Sequence, residues 1–245
     1  MIKKLYEKSE ICFAVTWIIA YCVLASVGDN LSANIGISKI ITLPILIVLS
    51  VILFLFVKKN QLLNRYGLCK PEISAAKMLF YIPLIALLSV NLWYGFALNT
   101  SPLETLLYIL SMFCVGFLEE MIFRGFLFQA MMKDDVKSAI IVSSVTFGIG
   151  HIVNLMNGSG AELLPTLLQV IYAIAIGFTF VMIYYKTKSL VPCIITHGIF
   201  NAISAFSNEA AMTVHREILV CAFLAIVPCA YALYIALILK TKDTK

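Results

Sequence analysis

Apolar runs, each bounded by short polar segments, recur along the chain at residues 11–28, 40–57, 78–96, 105–132, 138–156, 166–185, 189–206 and 218–239. A helix needs ~20 mostly apolar residues to cross ~30 Å of hydrocarbon. The pattern therefore predicts an all-α, polytopic membrane protein with about eight transmembrane helices, forming a single domain over residues 1–245. The fourth run is long enough to protrude from the bilayer or to tilt strongly. Pro44, Pro83, Pro192 and Pro228 fall inside apolar runs. Membrane helices tolerate such prolines when neighbouring groups satisfy the freed carbonyl.

Composition sharpens this picture. Of 245 residues, 62% are hydrophobic and 13% charged, whereas soluble domains average about 45–50% and about 25%. The surplus apolar surface must face lipid. The formal net charge of +5 could suggest nucleic acid, but the basic residues are scattered through short loops, with no basic face. Their distribution instead alternates. Lys3, Lys4 and Lys8 precede the first run; Lys58, Lys59, Arg65, Lys70 and Lys77 follow the second. Lys133 and Lys137 follow the fourth, Lys186 and Lys188 the sixth, and Lys240, Lys242 and Lys245 the eighth. The alternate loops hold only Lys39 and Arg216. Basic loops favour the cytoplasm, so eight spans with cytoplasmic N- and C-termini are expected. The seven cysteines show no CxxC pair, so neither a metal knuckle nor a disulfide framework is indicated.

Three charged residues break the apolar pattern. Glu119, Glu120 and Arg124 lie about halfway along the fourth run. Each costs roughly 2.5–3.5 kcal/mol at mid-bilayer on insertion scales, so they require partners or a cavity. On a helix Glu120 and Arg124 are four apart and share a face. Glu119 is rotated by roughly 100° from Glu120 and lacks that local partner. Two of the three histidines also fall inside runs: His151 in the fifth and His197 in the seventh, with Asn201 one turn after His197. At 1.5 Å per residue, Glu119 and His151 lie ~20 Å, and His197 ~12 Å, from the cytoplasmic ends of their helices. All three can therefore meet in one cavity. Gly116, Gly148, Gly150 and Gly198 flank these positions and would let the helices approach closely.

The sequences Glu119-Glu120-Met121-Ile122-Phe123-Arg124, Phe147 to His151, and His197 to Asn201 resemble the EExxxR, FxxxH and HxxxN motifs of the CAAX-protease and bacteriocin-processing family. This family of intramembrane proteases is also called the Abi or type II CAAX prenyl endopeptidase-like family. The run Leu190-Val191-Pro192-Cys193-Ile194-Ile195-Thr196-His197 is similar to the segment before the family's last histidine. The resemblance covers about residues 104–206, which would form the catalytic core.

The resemblance implies an intramembrane endopeptidase that hydrolyses a peptide bond of a membrane-associated protein or peptide. Its substrate would be a CAAX-like protein, a peptide pheromone or a bacteriocin, the last in processing or immunity. Glu119 and His151 would activate water, His197 and Asn201 would form the oxyanion site, and Glu120 and Arg124 would organise it. No cofactor is expected to be obligatory, although Glu119, His151 and His197 also form a zinc-type donor set. The expected partners are the lipid bilayer and the peptide substrate, and the expected location is a cell membrane of the bacterial plasma-membrane kind. Two other readings compete. Intramembrane Glu, Arg and His can mark an ion or proton path in a transporter, but no inverted repeat is present. The same fold could also serve as a non-catalytic immunity or scaffold protein.

Overall fold

A computed structural model describes residues 2–157 and 161–238. Lys240, Lys242 and Lys245 lie outside the described residues. A short helix, Ile2–Lys8, leads into eight apolar helices. These are α1 (Glu10–Ile35), α2 (Thr42–Lys59), α3 (Ala75–Leu92), α4 (Pro102–Met131), α5 (Val136–Leu155), α6 (Leu163–Thr187), α7 (Val191–Phe206) and α8 (Val214–Leu237). All but α7 are long and apolar enough to cross a membrane. The fold is all-α and polytopic, as expected. The shorter α7 carries His197 and Asn201 and packs chiefly against α4.

Local chemistry fixes the helix ends. Ser9 caps α1 by accepting from the Cys12 N–H at 3.2 Å. Gly36, at φ 81°, ends it in the left-handed conformation that glycine adopts without a Cβ clash. The start of α4 is a capping box. There the Ser101 hydroxyl accepts from the Glu104 N–H, the Glu104 carboxylate accepts from the Ser101 N–H, and Pro102 opens the helix. Asp135 caps α5 through the Ser138 N–H at 2.8 Å.

Three elements depart from straight α-helix. In α3 only Ile82–Ser89 is α-helical, preceded by left-handed residues Leu79, Phe80 and Tyr81. The α-helical part of α5 stops at Gly150, and His151 begins a 3-10 turn through Leu155. In α4 the α-helix runs to Glu119 and then widens into a π-helix over Glu120–Phe128. π segments of this kind frequently mark functional sites.

The bundle has two apolar cores. One joins Phe13, Trp17 and Phe56 of α1 and α2 to Phe126 and Phe147 of α4 and α5. The other joins Leu84 and Leu87 of α3 to Phe180 and Leu224 of α6 and α8. The opposite face of α1 leaves Ile19, Val23, Val27 and Leu31 exposed, as a helix facing lipid requires. Polar contacts close the lysine-rich end. Glu10 accepts two hydrogen bonds from Arg65 at 2.7 Å and pairs with Lys133 at 2.8 Å, and the Tyr184 hydroxyl donates to the Arg65 carbonyl.

Candidate active site

The π segment of α4 places Glu120 and Arg124 in the protein interior, where both side chains are 0% exposed. Arg124 Nη1 donates to Glu120 Oε1 at 3.1 Å, the pairing that their spacing predicted. The guanidinium lies 4.0 Å above the centre of the Phe147 ring, with Phe180 at 5.8 Å on another side. An aromatic face attracts a cation through its quadrupole, and the attraction grows when water is excluded. Phe147 also meets both histidines edge-on, with ring centres 5.2 Å from His151 and 5.7 Å from His197. The first residue of the FxxxH motif thus packs the arginine and the two imidazoles together.

His197 bridges the two glutamates. Its Nδ1 is 2.8 Å from Glu120 Oε1, and its Nε2 stands 3.5 Å from Glu119 Oε2. A carboxylate can only accept, so the proton of the short bond sits on Nδ1. Two carboxylates and one guanidinium thus meet around one imidazole.

Glu119 is 13% exposed, and one of its oxygens has a partner that sequence reasoning missed. The Tyr21 hydroxyl, on α1, donates to Glu119 Oε1 at 2.7 Å. The reading of Glu119 as unpartnered holds only within its own helix. The other oxygen, Oε2, is buried and accepts no hydrogen bond among the described residues. Tyr21 was findable in outline: Phe13, Trp17 and Tyr21 form an aromatic row at four-residue spacing, and all three are buried. The row marks the inner face of α1, and Tyr21 is its only member with a hydroxyl.

His151 Nδ1 lies 3.1 Å from the Phe147 carbonyl. That carbonyl can only accept, so Nδ1 carries the proton and Nε2 keeps the lone pair. His151 lies inside the fifth span, as the sequence suggested, at the point where the α-helix gives way to a 3-10 turn after Gly150.

A cavity of about 420 Å³ joins these groups, with Tyr21, Glu119, Phe147, His151 and Asn201 in its wall. A smaller void of about 40 Å³ adjoins it, lined by His151, Thr196, His197 and Asn201. The four expected catalytic residues therefore line two adjoining spaces. Close helix contact makes this assembly tight. A Cβ on Gly116 of α4 would come within 2.7 Å of the Gly198 nitrogen on α7, and one on Gly198 within 2.8 Å of Phe113. This glycine seam brings Glu119 and His197 together. Among the described residues, no group of three His, Cys, Asp or Glu side chains converges closely enough to hold a metal ion. Glu119 and His197 face each other at 3.5 Å, whereas His151 turns its Nδ1 to the Phe147 carbonyl.

The family model described as type II CAAX prenyl endopeptidase Rce1-like matches residues 101–203. The match contains all three motifs, at Glu119 to Arg124, Phe147 to His151 and His197 to Asn201. No curated protein and no solved structure matches the chain. Over residues 101–203 the chain is thus similar to the Rce1-like type II CAAX prenyl endopeptidases, a family of intramembrane proteases.

Proposed function

We propose that the chain is an intramembrane endopeptidase acting on a membrane-associated protein or peptide, with Glu119 as the general base. The observation that carries this reading is the placing of Glu119, whose buried Oε2 accepts no hydrogen bond among the described residues, with His151 in the wall of one cavity. A water between them gives one proton to Glu119 while His151 Nε2 accepts its other O–H. The water oxygen then attacks the scissile carbonyl carbon, and the carbonyl oxygen becomes the oxyanion. The proton taken by Glu119 passes to the leaving nitrogen as the C–N bond breaks, which yields a carboxyl and an amine. A positioned acid or base of this kind contributes typically 10²–10⁴-fold.

In this reading His197 acts as an imidazolium, with Nδ1 on Glu120 and Nε2 toward Glu119. Once Glu119 is neutralised, the imidazolium of His197 loses a counter-charge just as the oxyanion forms. Its Nε2–H can then turn to the oxyanion beside the Asn201 amide, and the net charge of the cluster with substrate stays unchanged. Glu120 and Arg124 hold His197 by its other nitrogen.

A pheromone, a bacteriocin leader or a CAAX-like tail would each meet the chemical requirement for a peptide in the membrane. The test is incubation of purified enzyme with a library of membrane-anchored peptides, with products read by mass spectrometry. Wild type should yield discrete products that Glu119→Gln does not. Proton-linked flux in liposomes without peptide cleavage would instead support the transporter reading. Cleavage that survives Glu119→Gln would remove Glu119 from the mechanism.

A further inference from the structure

The two ends of the bundle differ in charge and in access. One end carries Lys3, Lys4, Lys8, Lys58, Lys59, Arg65, Lys70, Lys77, Lys133, Lys137, Lys186 and Lys188; the loops at the other carry only Lys39 and Arg216. The cavity belongs to the second end. Its wall runs from Glu119 and Phe123 at mid-bundle, past Tyr21 and Asp29 of α1 and Asn154 of α5, to Lys39 and Ala161 in the loops. No lining residue lies nearer the lysine-rich end than Phe123 on α4. That end is closed by the contacts of Arg65 and Lys133 with Glu10. Beneath them lies an aromatic plug in which Phe126 packs 4.9 Å from both Phe13 and Tyr66, centre to centre.

Positively charged loops are retained on the cytoplasmic side, and this bias involves most of the chain's basic residues. We propose that substrate reaches Glu119 from the lysine-poor, extracytoplasmic side. The peptides cleaved are then exported or membrane-embedded chains whose scissile segment lies near that face, and not lipidated C-termini presented in the cytoplasm. This rests on the protease reading and adds to it a direction of entry and a substrate class. The mouth suits a peptide main chain. Lys39 and Asp29 are already paired with each other at 2.7 Å, and the wall between the mouth and Glu119 supplies Asn91, Gln169 and Asn201 amides.

Sidedness and cleavage are measured separately. Ala161→Cys at the mouth and Lys58→Cys at the opposite end, both exposed positions, are made in a cysteine-free background. Each variant is treated with a membrane-impermeant maleimide in right-side-out and inside-out vesicles. Position 161 should label only from outside and position 58 only from inside. The reverse pattern overturns the proposal. Oriented proteoliposomes are then supplied with single-span anchored peptides whose randomised segment faces one side or the other. Cleavage confined to outward-facing segments, and lost in Glu119→Gln, is the expected result. Cleavage confined to inward-facing segments overturns the direction of entry and leaves the protease reading standing. Absence of cleavage in both orientations overturns the protease reading, and the substrate class falls with it.

Discussion

Glu119 and Glu120 are neighbours in sequence, yet the structure assigns their loss different consequences. In Glu120→Gln the perturbation falls on a fully buried cluster. Glu120 Oε1 is the shared acceptor for Arg124 at 3.1 Å and His197 Nδ1 at 2.8 Å. An amide oxygen can still accept, but the negative charge opposing the Arg124 guanidinium is gone. Breaking one side of a buried ion pair typically costs about 3–5 kcal/mol, because the remaining charge stays uncompensated. For a chain of this size each kcal/mol corresponds to roughly 2–4 °C in Tm, so a fall of about 6–20 °C is expected. Glu119→Gln is milder. The side chain lines the cavity, and the amide oxygen still accepts from Tyr21. The loss is that of a charged hydrogen bond becoming a neutral one, about 1 kcal/mol, or roughly 2–4 °C. Activity reverses the order of interest. Glu119→Gln removes the base and should abolish turnover in a well-folded protein, whereas Glu120→Gln should lose activity and stability together. Thermal unfolding of both variants in the same detergent, beside the peptide assay, makes the comparison. Equal falls in Tm, or appreciable turnover in Glu119→Gln, would refute the division of labour.

The remaining predictions concern the groups around that pair. Tyr21→Phe deletes the donor to Glu119 Oε1, a bond to a charged group worth about 1.5–3 kcal/mol; kcat should fall by roughly 10–150-fold with KM unchanged, and an unaltered kcat would remove Tyr21 from the site. Asn201→Ala should lower kcat by about 10²–10³-fold, as for other oxyanion donors. A rise in KM alone would make Asn201 a substrate-binding residue. Gly116→Ala forces a Cβ against the Gly198 backbone, so it should destabilise by about 1–3 kcal/mol and lower turnover by spreading Glu119 from His197; a wild-type melting curve would contradict the close approach. Activity should persist after long dialysis against a strong chelator, and loss with recovery on zinc return would reassign Glu119, His151 and His197 to metal binding.

The helices were legible because lipid imposes a length and a polarity that hydropathy reads directly. What hydropathy cannot register is backbone geometry inside an apolar run. The third run, read as residues 78–96, holds only the α-helix Ile82–Ser89, since Leu79, Phe80 and Tyr81 adopt left-handed dihedrals among wholly apolar side chains. The first run was read as ending at residue 28, where Gly28, Asp29 and Asn30 interrupt the apolar pattern. The helix nevertheless continues to Ile35. Its Asp29 carboxylate accepts from Lys39 and from the Thr42 hydroxyl at 2.7 Å, and Asn30 donates to the Ser26 carbonyl one turn back. A polar residue ends an apolar pattern without ending a helix when its partners lie nearby.

The site divides in the same way. Spacing within one helix sufficed for Glu120 with Arg124, because residues four apart share a face whatever surrounds them. It could not reveal that His197, 77 positions away from Glu120, takes both glutamates. Nor could it reveal that Tyr21, 98 positions away, donates to Glu119. Those pairings depend on which helices meet, and that is decided by glycines such as Gly116 and Gly198 and by the aromatic face of α1. The division has a consequence for specificity. The matched segment, residues 101–203, contains every residue proposed to act on the peptide bond. The donor that holds Glu119, the Asp29–Lys39 pair at the mouth and the aromatic plug at Phe13 all come from α1 and the segment beside it. A change of substrate among such proteins is therefore expected to track changes in the first helix sooner than changes in the three motifs.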